Sequence, residues 1–122
     1  MVQVLVVDDD PIFREIAREA LTSDGYDVVT AENGLAAGKV DAAPALAVVD
    51  MLMPERDGLE TIADLRARWP AVKVVAVSAG ARNLDANLLL RAAKALGADA
   101  VMEKPVKPTA FLELVASLLA QA

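Results

Sequence analysis

Five short runs of almost unbroken apolar residues recur along the chain: VQVLVV (2–7), DVVTA (27–31), ALAVVD (45–50), VKVVAVS (72–78) and ADAVME (98–103). A strand with one solvated face alternates apolar and polar side chains. Runs without that alternation fit strands buried on both faces, which is the condition of a parallel sheet covered by helices on each side. The segments between the runs supply the covers. Phe13, Ile16, Ala17, Ala20 and Leu21 follow i, i+3, i+4, i+7, i+8 spacing, and Phe111, Leu114, Val115, Leu118 and Leu119 repeat it. Leu59, Ile62, Leu65 and Trp69 form a third stripe that ends at Pro70, and Leu89, Ala92, Ala93 and Leu96 a fourth that ends at Gly97. Core packing is the expected role of all these stripes. NGLAAGKVDAA (33–43) is the weakest of the helical segments because Gly38 interrupts it.

Five β–α units in succession imply right-handed crossovers and a doubly wound α/β domain. A chain of 122 residues, 56% of them hydrophobic, suits one such domain over residues 1–122. There is no cysteine and no histidine, so disulfides, Cys/His zinc sites and histidine acid–base chemistry by this chain are excluded. A net charge of −6 is a poor footprint for direct nucleic-acid binding. The first apolar run is only about six residues long and has no basic segment before it. It fits neither a signal peptide nor a membrane span, and a cytoplasmic protein is expected.

In a doubly wound fold, ligands meet the carboxyl ends of the strands. Those ends carry Asp8, Asp9 and Asp10 after the first run, Asp50 after the third, Ser78 after the fourth, and Glu103 and Lys104 before Pro105 after the fifth. Asp10 precedes Pro11 and is the expected N-cap of the first helix. Asp8 and Asp9 cannot both cap that helix, and adjacent half-buried carboxylates repel unless a cation holds them. All-oxygen ligation of this kind is the Mg²⁺ pattern. Asp50 alone serves equally well as a turn or helix cap. Beside a cation site, a hydroxyl and an ammonium group, it has the surroundings needed to accept a phosphoryl group.

VLVVDDDP, LAVVDMLMPERDGLE, VVAVSAGA and VMEKPVKP, in that order and spacing, resemble the signature segments of the receiver domain of two-component response regulators, and most resemble the stand-alone, CheY-like kind. The resemblance implies a flavodoxin-like (βα)5 fold with a five-stranded parallel sheet of order 2-1-3-4-5. It makes Asp50 the phospho-acceptor, with Ser78 and Lys104 contacting the phosphoryl group and the backbone of Met51 and Ala79 helping to bind it. Asp9 then binds Mg²⁺ (or Mn²⁺) directly and Asp8 mainly through water, beside Asp50 and the Leu52 carbonyl. The Lys104–Pro105 bond is expected to be cis, and Pro54 and Gly58 fit the family's turn after the third strand. The implied donor is a sensor histidine kinase or a histidine phosphotransfer protein. The implied target is a protein docking on helix 4, strand 5 and helix 5, with no membrane or nucleic-acid partner. Such a domain is a phospho-acceptor that catalyses its own phosphotransfer and slow dephosphorylation rather than an ordinary enzyme. A receiver-like interaction module that is never phosphorylated is the alternative. A haloacid-dehalogenase-type phosphatase would need a second acid where Leu52 stands, and a nucleotide-binding domain would need a glycine-rich loop where the chain has DDDPIF.

Three residues before Lys104 the family usually has an aromatic ring that turns inward on phosphorylation; here the residue is Val101. The change on activation is therefore expected at residues 79–90, with Gly80 as hinge. Hydrolysis of an aspartyl phosphate requires an in-line water, and neither Leu52 nor Gly80 has a polar side chain to orient one. Slow loss of the phosphoryl group is expected. Leu52→Asn should accelerate it, measured as the decay of labelled protein by intact mass; an unchanged or slower decay contradicts this reading.

Overall fold

The computed structural model describes residues 2–51, 58–78 and 86–121. Five strands, β1 (Gln3–Val7), β2 (Asp27–Ala31), β3 (Leu46–Asp50), β4 (Lys73–Ser78) and β5 (Ala100–Glu103), form one parallel sheet in the order β2-β1-β3-β4-β5. Between and after them lie α1 (Pro11–Ser23), α2 (Gly34–Ala37), α3 (Gly58–Arg68), α4 (Ala86–Ala95) and α5 (Pro108–Leu119). The chain winds from β1 outward to β2, then returns to β3 and proceeds the other way. The crevice at the carboxyl edge between β1 and β3 is thus the switch point of the sheet.

Strand alternation builds two cores from the unbroken runs. Leu5, Val7, Ala47, Val49, Val74 and Ala76 face one way, with Ile62 and Leu65 of α3 and Ala93 of α4. Val4, Val6, Leu46, Val48, Val75 and Val77 face the other, with Ala17 and Leu21 of α1 and Phe111, Val115 and Leu118 of α5. Burial on both faces holds for β1, β3 and β4. The two outer strands differ: β2 is buried only at Ala31, and β5 is half-buried, because each lies at an edge of the sheet.

Among the described residues of the expected stripes, two are exposed. Ile16 is 53% exposed and Leu96 is 44% exposed. At about 100° per residue, Ile16 is a quarter-turn from Ala17, the centre of the buried face of α1. Leu96 falls just beyond the end of α4, in the turn that Gly97 closes with φ +108°. The segment 33–43 forms only the four-residue α2, capped by Asn33, whose side chain accepts from the Ala36 N–H at 2.8 Å, and it stops at Gly38.

Opposite the carboxyl edge, Arg66 of α3 joins three elements. Its guanidinium donates to the Gly97 carbonyl (3.0 Å from Nε), the Val72 carbonyl (2.6 Å) and Asp99 Oδ2 (2.6 Å), and the same Asp99 oxygen accepts the Val74 N–H at 2.8 Å. A Cβ on Gly97 would lie 3.3 Å from Arg66 Nε, so the turn passes close to the guanidinium as well as requiring a positive φ. Arg66→Leu leaves the Asp99 carboxylate and two carbonyls short of donors and should cost about 2 kcal/mol. Arg66→Lys should recover only part of this, because an ammonium cannot span the fork. The shift of the urea midpoint in the two variants checks both statements.

Candidate functional site

Asp8 sits one residue beyond β1 and is only 1% exposed. Its Oδ1 accepts the Asp10 N–H at 2.9 Å, its Oδ2 accepts from Lys104 Nζ at 2.7 Å, and its backbone carbonyl accepts from Arg14 Nη1, also at 2.7 Å. A buried carboxylate is tolerable only with such partners. Asp10 is the N-cap expected from Pro11: it takes the Ile12 N–H at 2.9 Å, which points α1 away from the strand end. Asp9, between them, is exposed and faces the crevice shared with Asp8 and Asp50.

Asp50 closes β3 and is 4% exposed, and Ser78 closes β4 and is fully buried. The pairing of β3 with β4 sets these two strand ends side by side, with Asp50 opposite Val77. Lys104 follows β5, where its N–H donates to the Ser78 carbonyl at 2.8 Å, and the Lys104–Pro105 bond is cis. The sheet thus brings all the described candidate residues to one edge. Carboxylate oxygens of Asp8, Asp9 and Asp50 lie within 4.8 Å of one another.

This donor set is hard and wholly oxygen, with three negative charges met by the Lys104 ammonium and the nearby Arg14 guanidinium. A small divalent cation fits the chemistry of this net negative, all-oxygen set. Glu103 is exposed and lies outside this cluster.

One expected group does not fit. The Met51 N–H donates to the Val77 carbonyl at 2.9 Å, extending the ladder between β3 and β4, so it is already engaged and is not positioned to bind a phosphoryl group. The Leu52 carbonyl, the Ala79 amide, Gly80 and Pro54 lie outside the described residues. Val101, opposite Ala76 on β5, is half-buried against the core beneath α3 and α4.

A contributor that strand-end inspection does not single out is Gly58, the first residue of α3. Its N–H donates to the Met51 carbonyl at 3.3 Å, and an added Cβ would stand 2.5 Å from the Asp50 carbonyl oxygen and 2.5 Å from Met51 Cα. A glycine before a helical stripe is the signal, but only the packing shows what it touches.

The sequence model of the family described as "Response regulator receiver domain" matches residues 4–116. The chain is 40% identical over 108 residues, 86% of its length, to the KDP operon transcriptional regulatory protein KdpE of Escherichia coli K12, of which the match covers 45%. It is 35% identical over 98 residues to the chemotaxis protein CheY of Listeria monocytogenes, covering 77% of this chain and 82% of that one. Among solved structures, the response regulator TrrA of Thermotoga maritima in complex with Mg²⁺-BeF superposes with a TM-score of 0.80 at 31% identity, over 97% of this chain and 99% of that one. The chain spans about half the length of KdpE and of a Haemophilus influenzae CpxR homologue that it also matches.

Because backbone rather than a flexible side chain surrounds the absent Gly58 Cβ, Gly58→Ala must displace either α3 or the Asp50–Met51 strand end. The expected cost is about 1–3 kcal/mol. Amide chemical shifts should change most at Asp50 and Met51; a variant of wild-type stability with those shifts unmoved would show that the approach is looser than described.

Proposed function

This chain belongs to the response regulator receiver domain family, and from that premise we propose that it accepts a phosphoryl group on Asp50 and answers by changing its affinity for a protein partner. The observation that carries this reading is the convergence of Asp8, Asp9 and Asp50 within 4.8 Å at the switch point, with the Lys104 ammonium bonded into the cluster. The chain has no histidine, so a phosphohistidine donor lies outside it, on a sensor kinase or a phosphotransfer protein.

A carboxylate oxygen of Asp50 attacks the phosphorus in line with the donor's imidazole nitrogen; the P–O bond forms as the P–N bond breaks, and the nitrogen leaves with the bonding pair. Burial of Asp50 strips water from the nucleophile and raises the effect of nearby charges on the transferring group. Asp8, Asp9 and Asp50 would hold Mg²⁺, which would neutralise the charge that otherwise repels the incoming phosphoryl oxygens. Lys104 gives a point charge to one phosphoryl oxygen and the Ser78 hydroxyl donates to another, drawing the end of β4 toward the modified Asp50. The TrrA structure named above pairs Mg²⁺ with a beryllofluoride group, which supports the same use of the acid cluster here.

Ile12 and Ile16 lie exposed on α1, at 69% and 53%, and offer the donor protein an apolar seat beside Lys104. The signal leaves on the other side, through the segment after β4 to α4, β5 and α5. Val101 in place of a ring leaves that segment as the lever. No helix among the described residues is long and apolar enough to cross a membrane.

Incubation with acetyl phosphate and Mg²⁺, read by intact mass, should add one phosphoryl group. EDTA should prevent the addition, and Asp50→Asn should take none, since the amide is isosteric but a poor nucleophile. That variant should melt at or above the wild-type temperature, because one of three mutually repelling carboxylates is gone. Full labelling of Asp50→Asn would place the acceptor elsewhere, and an unlabelled wild type would leave the domain an interaction module.

A further inference from the structure

The Lys104 ammonium has a second neighbour that the chemistry above does not use. Its Nζ stands over the Phe13 ring, 4.3 Å from the centroid, while donating to Asp8 Oδ2 at 2.7 Å. A cation within about 6 Å of a ring centroid is attracted to the negative face of the π-system. The ring itself is anchored. It is partly buried against the core beneath α1 and α5, and its backbone belongs to the first turn of a helix whose start Asp10 caps.

We infer that Phe13 is a positioning residue for Lys104, holding the ammonium in reach of the phosphoryl group while Asp8 turns from Lys104 to the metal. This rests on the reading of Asp50 as acceptor. Lysine carries its charge on a flexible four-carbon stem, so its placement depends on what restrains Nζ. Two restraints are present, and they respond differently to the reaction. The Asp8 carboxylate belongs to the acid cluster, and a divalent cation held there would compete with Lys104 for it. The ring face has no such competitor and stays in place through the exchange. It also covers one side of Nζ, next to the cleft formed by Ile16, Pro105 and Val106. At this position the apolar stripe of α1 asks only for bulk, which leucine or methionine would provide. Only an aromatic side chain supplies the charged face.

The test compares wild type, Phe13→Leu and Phe13→Tyr as full chains. Without metal, the Lys104 side-chain methylene protons should show an upfield ring-current shift in wild type and Phe13→Tyr that is lost in Phe13→Leu. With saturating Mg²⁺ and acetyl phosphate, labelling of Asp50 should slow about three- to tenfold in Phe13→Leu and return to within about twofold of wild type in Phe13→Tyr. Melting temperature serves as the folding control, and Phe13→Met replaces Phe13→Leu should the latter unfold. Equal labelling rates in wild type and the aliphatic variant overturn the inference while leaving the acceptor reading intact. Equal slowing in the tyrosine variant also overturns it, since that outcome is lost packing and not a lost ring face. A wild type that takes no label removes the acceptor reading and this inference with it.

Discussion

The ion pair between Asp8 and Lys104 joins residues 96 apart in sequence, and the carboxyl edge of the sheet is organised around it. Asp8 is buried, so its charge is tolerated only because Lys104, the Asp10 N–H and its neighbours satisfy it. Lys104 reaches this position from the far side of β3 and β4, so the pair spans the edge where those strands end in Asp50 and Ser78. Had β5 paired elsewhere, the acid cluster would lack its ammonium, and three carboxylates would face one another with little compensation.

The two ends of the sheet use polar groups in opposite ways. At the amino edge, Arg66 meets carbonyls and the Asp99 carboxylate in a closed arrangement in which donors and acceptors match. At the carboxyl edge, like charges are gathered beyond what the nearby cations offset. The first pattern holds elements together; the second gathers repulsion that a bound cation would relieve. Rigid packing of α3 against β3 at Gly58 connects them, because it leaves the Asp50 backbone no room to drift toward the helix.

Much of this was legible before any coordinates. Unbroken apolar runs announced buried parallel strands, Asp10 before Pro11 announced a cap, and the acids at strand ends announced the carboxylates that the sheet gathers at one edge. Three expectations failed for physical reasons. β2 and β5 are only partly buried since an edge strand has one neighbour. Ile16 and Leu96 matched the helical period but fell outside the contact face. The Met51 amide, adjacent to Asp50 in sequence, was already committed to the β3–β4 ladder.

Sequence alone determined the number and kind of elements, the single-sheet class and the identity of the residues carrying charge, because these depend on local period and residue chemistry. Tertiary structure alone decided which of them meet. Strand order set Lys104 against Asp8 across two intervening strands, a helix turn set the Phe13 ring beneath that same ammonium, and the absence of a Cβ at Gly58 let α3 lie against the Asp50 backbone. The first two are contacts between residues far apart in sequence, and the third joins the end of β3 to the start of α3. Their distances follow from sheet register and helix packing, and local sequence pattern has no term for either.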